Sequence, residues 1–287
     1  LLLSDDLRMS SGVGTVSKNF VMGTLHKYDW VQLGGAIKHP DEGKIVDMNE
    51  AVQKETGVKD ASLKIYPISG YGNQELLRNV INMEKPDAIL HYTDPRFWVW
   101  LYQMEHEVRQ QIPIFYYNIW DDLPYPRYNE FFYESSDLIM NISKQTVNIV
   151  EQVARKKPRT DWDCTYVPHG IPEKAFHPVD KDDKELKVFR NKVLHNQEKD
   201  FVVFWNNRNI RRKLPGDVVL AYKEFCDNLP KEKAKKCVLV MHTAPKDNNG
   251  TDLPAVVREI CPDYEVIFSH QRLDEKQMNM LYDQNKP

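Results

Sequence analysis

The stretch NRNIRRKLP concentrates four basic residues, Arg208, Arg211, Arg212 and Lys213, within six positions. It follows the apolar run FVVFW and precedes Pro215, an order that predicts a strand, a loop and a helix, because proline is favoured where helices begin. Loops that follow parallel strands lie at the carboxyl edge of a sheet, where ligands bind. Arginine and lysine in such a loop suit a diphosphate, although a charge run is more often only a solvated face.

The first loop of the chain is a second candidate for anion binding. Gly12 and Gly14 lie between the opening strand and a helix that is predicted to begin near Thr15. Glycines let an oxyanion approach backbone N–H groups, and a helix N-terminus favours negative charge. The pattern is neither a complete GxGxxG nor a Walker sequence, so a tight turn without a ligand explains it equally well.

Polar residues also end two further predicted strands. His91, Thr93 and Asp94 end the fourth strand, and Asp121 and Asp122 follow the fifth. Such groups can bind sugar hydroxyls or transfer protons. Helix capping is the alternative, and it is the favoured one for Asp121 and Asp122.

No metal site is predicted. His169 and His242 lie at strand ends, but neither has a partner at metal-ligand spacing. The cysteines form no CxxC pair, and we expect buried thiols in a reducing compartment. They are Cys164, Cys226, Cys237 and Cys261.

Length and composition indicate a globular protein of about two domains. The 287 residues are 41% hydrophobic, and the formal net charge of −3 predicts no broad attraction for nucleic acid or an anionic membrane. No apolar run approaches the roughly 20 residues of a transmembrane span, and LLLSDD is interpreted as a strand already begun, not as a signal peptide. We expect a cytoplasmic protein, with peripheral association with a membrane as the alternative.

Apolar runs alternate with helical segments, which is the pattern of parallel sheets flanked by helices. Strands are predicted at 1–4, 30–37, 63–68, 88–93, 112–120, 137–143 and 164–171, and helices at 15–26, 73–84, 96–110, 126–134 and 144–156. A second series has strands at 201–205, 237–243 and 264–269 and helices at 216–228, 252–260 and 274–283. The prediction is an α/β protein with two doubly wound, Rossmann-like domains, 1–170 and 199–287, joined by a linker at 171–198. The second domain has fewer strands than an open nucleotide-binding sheet usually has.

In combination, these motifs resemble the retaining glycosyltransferases of the GT-B fold, specifically glycosyltransferase group 1, or family 4. SGVGTV is similar to the family's glycine-rich first loop, VPHGIPEKAFHP to its interdomain signature, and LDEKQMNMLYDQ to the helix that leads into the last part of the donor site. Arg208 and Lys213 resemble the arginine and lysine that hold the donor diphosphate. The likeness covers essentially the whole chain and implies two Rossmann-like domains that face a cleft.

The resemblance implies a role for each matching residue. Arg208 and Lys213 would neutralise the departing nucleoside diphosphate, and the glycines of the first loop would lie near the diphosphate and the acceptor. Arg211 and Arg212 have no assured counterpart. The candidates are Arg208, Lys213, Thr93, Asp94 and His91 for catalysis, Gly12, Gly14, Arg208, Lys213, His242 and Gln271 for donor binding, and Ser11, Asp121 and Asp122 for acceptor binding.

Two departures from the family pattern are visible. Many members have His-Glu-Pro after the fourth strand, whereas this chain has Thr93-Asp94-Pro95, so His91 is the nearest histidine. The family's Glu-x7-Glu segment should follow shortly after Asp283, and the sequence given ends at Pro287. We interpret the chain as a fragment of a longer enzyme, with a free strand edge in the second sheet that favours self-association.

The expected reaction moves a sugar from a UDP- or GDP-linked donor to a hydroxyl group, with retention of configuration and without a cofactor. The acceptor is a carbohydrate, a lipid or a protein. Two alternatives remain open: a nucleotide-sugar-binding module without turnover, and a sugar-nucleotide epimerase of the GT-B fold.

Overall fold

The computed structural model describes residues 1–36, 40–154 and 163–283. The chain divides into two compact units, Leu1–Gly170 and Ile171–Pro287. Each unit has its own sheet and its own hydrophobic clusters.

The first unit is built on an eight-stranded sheet. Its strands are β1 (Leu2–Asp5), β2 (Trp30–Gly35), β3 (Val46–Asp47), β4 (Leu63–Pro67), β5 (Ile89–Tyr92), β6 (Ile114–Asn118), β7 (Leu138–Asn141) and β8 (Asp163–Tyr166). The order is β3-β4-β2-β1-β5-β6-β7-β8, and all neighbours are parallel except β3 and β4. The chain proceeds outward from β1 in both directions, so the carboxyl ends of β1 and β5 form the point where ligands bind in such sheets.

Helices cover both faces of this sheet. They are α1 (Gly12–Thr24), α2 (Asn49–Thr56), α3 (Gln74–Glu84), α4 (Val99–Gln103), α5 (Glu105–Arg109), α6 (Glu130–Glu134) and α7 (Lys144–Val153), with 3-10 turns at Pro95–Trp98 and Arg127–Asn129. Successive residues of β1 belong to opposite clusters, Leu2 to one and Leu3 to the other. Burial on both faces explains why this strand reads as a continuous apolar run.

The second unit has a three-stranded parallel sheet in the order β11-β10-β9. Its strands are β9 (Phe201–Asn206), β10 (Cys237–His242) and β11 (Val266–Ser269). Its helices are α8 (Lys184–Val193), α9 (Pro215–Asp227), α10 (Lys231–Ala234), α11 (Leu253–Ile260) and α12 (Glu275–Asp283), with a 3-10 turn at Arg211–Lys213. Val238 and Val240 of β10 lie in one cluster, and Leu239 and Met241 in the other.

Two helix-covered sheets, parallel except for the pair β3 and β4, confirm the predicted α/β, Rossmann-like fold class. Several predicted boundaries were wrong. The helix expected near Thr15 begins at Gly12, and the helix expected at 96–110 is divided into a 3-10 turn, α4 and α5. Part of the expected linker folds into α8. Residue 37 of the second predicted strand and residues 155 and 156 of the helix predicted at 144–156 lie outside the described residues.

Within the described segments, no helix is both long enough and apolar enough to cross a membrane.

Candidate functional site

The basic loop predicted from the sequence connects β9 to α9, at the carboxyl edge of the second sheet. The Arg208 side chain is 64% exposed, and its Nε donates to Asp247 Oδ2 at 3.0 Å. This contact leaves the terminal nitrogens of the guanidinium available to an anion. Lys213 is half-exposed, and within the described residues its ammonium has no ion-pair partner. Of the two predicted diphosphate ligands, Arg208 is therefore loosely paired and Lys213 is unpaired among the described residues.

A buried asparagine holds this loop in place. Asn209 is 0% exposed, and its Nδ2 donates to Thr251 O at 2.8 Å and to Ala244 O at 3.2 Å. Its Oδ1 accepts from Thr251 N at 3.2 Å. A Cβ atom on Gly250 would lie 2.2 Å from Asn209 O, so only glycine allows this approach. The loop after β9 is thus joined to the loop after β10.

Leu214 gives the basic loop its final turn. Its φ of 47° and ψ of 49° lie in the left-handed region, and its side chain is 57% exposed. This conformation costs about 1–2 kcal/mol for a residue with a Cβ atom. Pro215 follows as the first residue of α9, and proline is well suited to that position. Such strain is often retained at functional sites, and here it lies directly after Lys213.

The neighbouring strand ends contribute two further predicted residues. His242 ends β10, and its Nδ1 lies 3.0 Å from Ser269 Oγ at the end of β11. Burial, assisted by His270, lowers the pKa of His242, so its imidazole is neutral at pH 7. Gln271 is exposed in the loop after β11. The parallel pairing of the three strands brings Arg208, Lys213, His242 and Gln271 to one edge of the second sheet.

A buried carboxylate lies at the carboxyl end of β1 in the first unit. Asp5 accepts from Ser11 Oγ at 2.9 Å and from Tyr71 OH at 3.3 Å. Burial raises the pKa of Asp5, and burial together with Asp5 raises the pKa of Tyr71 to about 12. Ser11 also caps α1 by accepting from Gly14 N. Sequence reasoning identified Ser11 but missed Asp5 and Tyr71.

The two glycines of the first loop differ in their surroundings. A Cβ atom on Gly14 would lie 2.7 Å from Met9 O, so packing alone requires glycine there. A Cβ atom on Gly12 would meet nothing within 4 Å. Both lie in the first turn of α1, where N–H groups favour an anion. Gly12 is the position with open space for a ligand.

Asp94 forms an ion pair with Arg96, two positions further along the chain. Arg96 Nε donates to Asp94 Oδ1 at 2.9 Å, and the Arg96 guanidinium lies 5.2 Å from the centre of the Trp120 ring. Burial alone would raise the pKa of Asp94. Hydrogen bonds from the side chain and backbone of Arg96 outweigh burial, so the pKa of Asp94 is lowered. Asp94 is therefore a carboxylate at neutral pH and not a proton donor. Thr93 beside it is only 3% exposed.

No protein-family model matches the chain, and no curated protein matches it either. Solved structures do match. An E. coli trehalose-6-phosphate protein bound with UDP-2-fluoro glucose superposes with a TM-score of 0.64 at 14% identity, covering 97% of this chain and 75% of that one. The trehalose-6-phosphate synthase OtsA matches with a TM-score of 0.63 at 12% identity, covering 98% and 74%. An alpha,alpha-trehalose-phosphate synthase (UDP-forming) from Burkholderia xenovorans, in complex with glucose-6-phosphate, matches with a TM-score of 0.58 at 7% identity. This match covers 96% of this chain and 75% of that one.

The chain has the GT-B fold. At identities of 7 to 14% these matches establish architecture and not activity.

The GT-B fold of this chain does not bring every predicted residue to a sheet edge. His91 lies in β5 and is 0% exposed, with Nδ1 2.7 Å from Tyr102 OH and its ring stacked on Tyr116. Its ring is closed off from solvent and cannot reach a substrate, so the prediction that His91 takes part in catalysis is wrong. His169 after β8 is exposed at the carboxyl edge, where its Nε2 lies 3.4 Å from Tyr92 OH. The sequence had marked His169 only as a strand-end histidine without metal-ligand spacing.

Asp121 and Asp122 lie exposed in the loop after β6. The favoured interpretation, helix capping, is wrong, because the next helical turn begins only at Arg127 and its first position follows Pro126. Asp122 Oδ1 instead accepts from Leu123 N at 2.9 Å. Acceptor binding by the two aspartates stays a prediction.

Within the described residues, no group of three or more His, Cys, Asp or Glu could hold a metal ion. Cys164 is partly buried, and the other cysteines are buried free thiols, as expected from their scatter: Cys226, Cys237 and Cys261.

His91 makes the GT-B chain sensitive to acid. Burial, only partly opposed by Asp94, lowers the pKa of His91 from 6.5 to about 3. Below pH 6.5 the unfolded chain therefore binds a proton at His91 that the folded chain does not bind. The free energy of unfolding falls as the pH falls. Between pH 7 and 5 we expect this group to remove about 2 kcal/mol of the free energy of unfolding.

Urea unfolding of the wild type and of His91→Gln at pH 7 and pH 5 measures this effect. Glutamine does not titrate and retains an acceptor for Tyr102, so the variant should lose about 2 kcal/mol less on acidification. Equal losses in the two proteins would show that His91 titrates normally.

Proposed function

We propose that this chain transfers a sugar from a nucleotide-diphosphate sugar to an acceptor hydroxyl, with retention of configuration. The observation that carries the proposal is the pair Arg208 and Lys213 on a GT-B fold. Both lie on the loop after β9, which the buried Asn209 fixes to the neighbouring loop. Such a rigid loop positions its cations before the substrate arrives.

The chemistry requires stabilisation of the leaving diphosphate. Negative charge grows on the diphosphate oxygen as the bond to the sugar breaks, and fixed cations lower the free energy of that transition state. Arg208 would grip the diphosphate through its terminal N–H groups, and Lys213 would add a compact point charge. These are the roles that the family resemblance implies.

The ion pair between Arg208 and Asp247 does not prevent this role. With the arginine side chain 64% exposed, water screens the pair and a diphosphate can compete with it. Hydrogen bonds from Asn249 N and from Arg208 lower the pKa of Asp247, so it stays an anion. Its contact with Nε orients the guanidinium while the terminal nitrogens stay open.

The carboxyl edge of the first unit is the proposed acceptor site. Carboxylates such as Asp5 accept hydrogen bonds from sugar hydroxyls, and rings such as Tyr71 and Trp120 pack on sugar faces. Phe97 extends this surface, because its ring stacks on Tyr71 with centroids 4.8 Å apart and is 53% exposed.

We propose that the donor is UDP-linked and that the acceptor is a carbohydrate, with a sugar phosphate as the first compound to test. The support is that one structural neighbour is bound with UDP-2-fluoro glucose and another is in complex with glucose-6-phosphate. We also propose membership of glycosyltransferase group 1, for which the sequence motifs are the only support. A cytoplasmic location is part of the same proposal and rests on the four free thiols.

The test is a transfer assay with UDP-glucose, GDP-mannose and ADP-glucose, each with and without glucose 6-phosphate. We expect release of UDP to depend on the acceptor, and NMR of the product to show an α-linkage from the α-linked donor. Binding of UDP in calorimetry without turnover would favour the binding module. A changed sugar configuration in the donor without acceptor would favour the epimerase.

A further inference from the structure

A cavity of about 210 Å³ lies in the second unit between α8 and the edge strand β11. Its floor is apolar and includes Val193, Ile267 and Leu273. Its rim is basic and includes Lys192, His195 and His270. Aspartate and glutamate are absent from its lining, all of which falls within the described residues. A cavity with this lining attracts an anion that also has an apolar surface.

The basic side chains of the rim are available to a ligand. Lys192, His195 and His270 are exposed, and none of the three side chains has an ion-pair partner within the described part of the chain. Most other lysines close to α8 are paired: Lys187 contacts Asp182, and Lys276 contacts Glu185. Lys184, at the start of α8, also has no ion-pair partner among the described residues, but it does not line the cavity.

A fixed turn places His195 on the rim. His195 and Asn196 have φ values of 52° and 59°, two consecutive left-handed residues after α8. Asn196 N donates to Asn191 O at 2.7 Å and closes the turn. Asparagine and histidine are among the residues that tolerate this conformation. The imidazole is therefore held by a defined end of the helix and not by a freely moving loop.

The cavity is not formed by the two proposed diphosphate ligands, although its lining includes Gln271, a candidate for donor binding. Neither Arg208 nor Lys213 lines it, because they follow β9 whereas the cavity lies along β11. Its volume of about 210 Å³ is below the roughly 300–1,000 Å³ of sites for larger ligands, so it suits a small ligand better than a complete nucleotide sugar.

We infer that this cavity binds a small phosphate monoester, and that it is a second anion site beyond the proposed function. Lys192 and the two imidazoles would donate hydrogen bonds to the phosphate oxygens. The apolar floor would pack against the carbon skeleton of the ligand. Nothing in this inference depends on turnover at Arg208 and Lys213.

The experiment is carbon-edited NMR of the histidine ring signals in the full chain, with the signals of His195 and His270 assigned by substitution. The probes are glycerol 3-phosphate, glucose 6-phosphate, inorganic phosphate, and neutral glycerol and glucose. Both signals should shift saturably with the two esters, more weakly with inorganic phosphate, and not with the neutral compounds. Following these two signals separates the cavity from any ester bound at the first unit.

Substitutions on one helix provide the matched comparison. Lys192→Gln should weaken the ester by about threefold to tenfold, because it removes a charged donor from the rim. Lys184→Gln, at the start of α8 and away from the cavity, should leave affinity unchanged. Arg208→Ala and Lys213→Ala should also leave it unchanged.

Three outcomes would overturn the inference. Equal affinity for inorganic phosphate and the esters would show that the floor binds nothing. Displacement of the esters by UDP would assign the cavity to the donor site. Unchanged binding in Lys192→Gln and in His195→Asn, which retains a residue suited to the turn, would show that the rim takes no part. If the protein transfers no sugar, the proposed function fails, but each of these three outcomes can still be tested.

Discussion

Lys213→Ala and Arg208→Ala should each lower kcat/KM for sugar transfer by about 10²- to 10³-fold. Each substitution removes a cation from a loop that is already held in its final geometry, so little compensation is available. The loss should fall mainly on kcat, because charge on the diphosphate is greater in the transition state than in the bound donor. Initial rates with UDP-glucose over a range of donor concentrations measure both parameters.

The same loop supplies the control. Arg211 and Arg212 are exposed neighbours of Lys213 without a counterpart in the family pattern, so Arg212→Ala should change kcat/KM by less than about threefold. If all of these variants lose the same small amount, general attraction by the basic loop explains the data. The proposal that Arg208 and Lys213 bind the diphosphate specifically would then be wrong.

Asp247→Asn provides a further check on Arg208. The substitution removes the negative charge that lies 3.0 Å from Arg208 Nε while keeping the size of the side chain. Donor affinity should rise slightly in this variant and remain unaffected when Arg208 is already alanine.

The sheets could be predicted from sequence because buried parallel strands read as apolar runs. β10 is buried from Cys237 to Met241, and its predicted and observed bounds differ by one residue. β3 was missed because its two residues are not buried and carry no such signal. α8 was missed because its sequence, KELKVFRNKV, is largely charged, and only Leu186 within it is buried.

The candidate site could be predicted only where its residues are close together in sequence. Arg208 and Lys213 stand five positions apart in a basic run, and both lie on the expected loop. The role of Asn209 could not be predicted, because its hydrogen-bond partners lie 35 to 42 residues away and a single asparagine in the sequence does not indicate burial. Tyr71 likewise contacts Asp5 across 66 positions. His91 was misjudged because β5 is buried on both faces, which its position near a strand end does not reveal.

Asn209→Ala should lower the free energy of unfolding by about 2 to 4 kcal/mol and weaken donor binding, although its side chain is not predicted to contact a ligand. The substitution leaves the carbonyls of Ala244 and Thr251 and the Thr251 N–H without their buried partner. Without that link, the basic loop loses its fixed position beside the loop after β10. Urea unfolding and calorimetry with UDP measure the two effects, with Asn207→Ala, at the half-exposed neighbour, as the control.

Gly250→Ala tests the same junction from the opposite loop without touching a hydrogen-bonding side chain. Its new Cβ atom would lie 2.2 Å from Asn209 O and 2.4 Å from Asn209 Oδ1, so backbone must move. We expect a loss of about 1 to 3 kcal/mol and the same weakening of UDP binding. Gly216→Ala is the matched control, since its Cβ atom meets only Val256 Cγ1 at 4.0 Å and alanine favours the helix. If Gly250→Ala binds UDP like Gly216→Ala, the junction does not position Arg208 and Lys213.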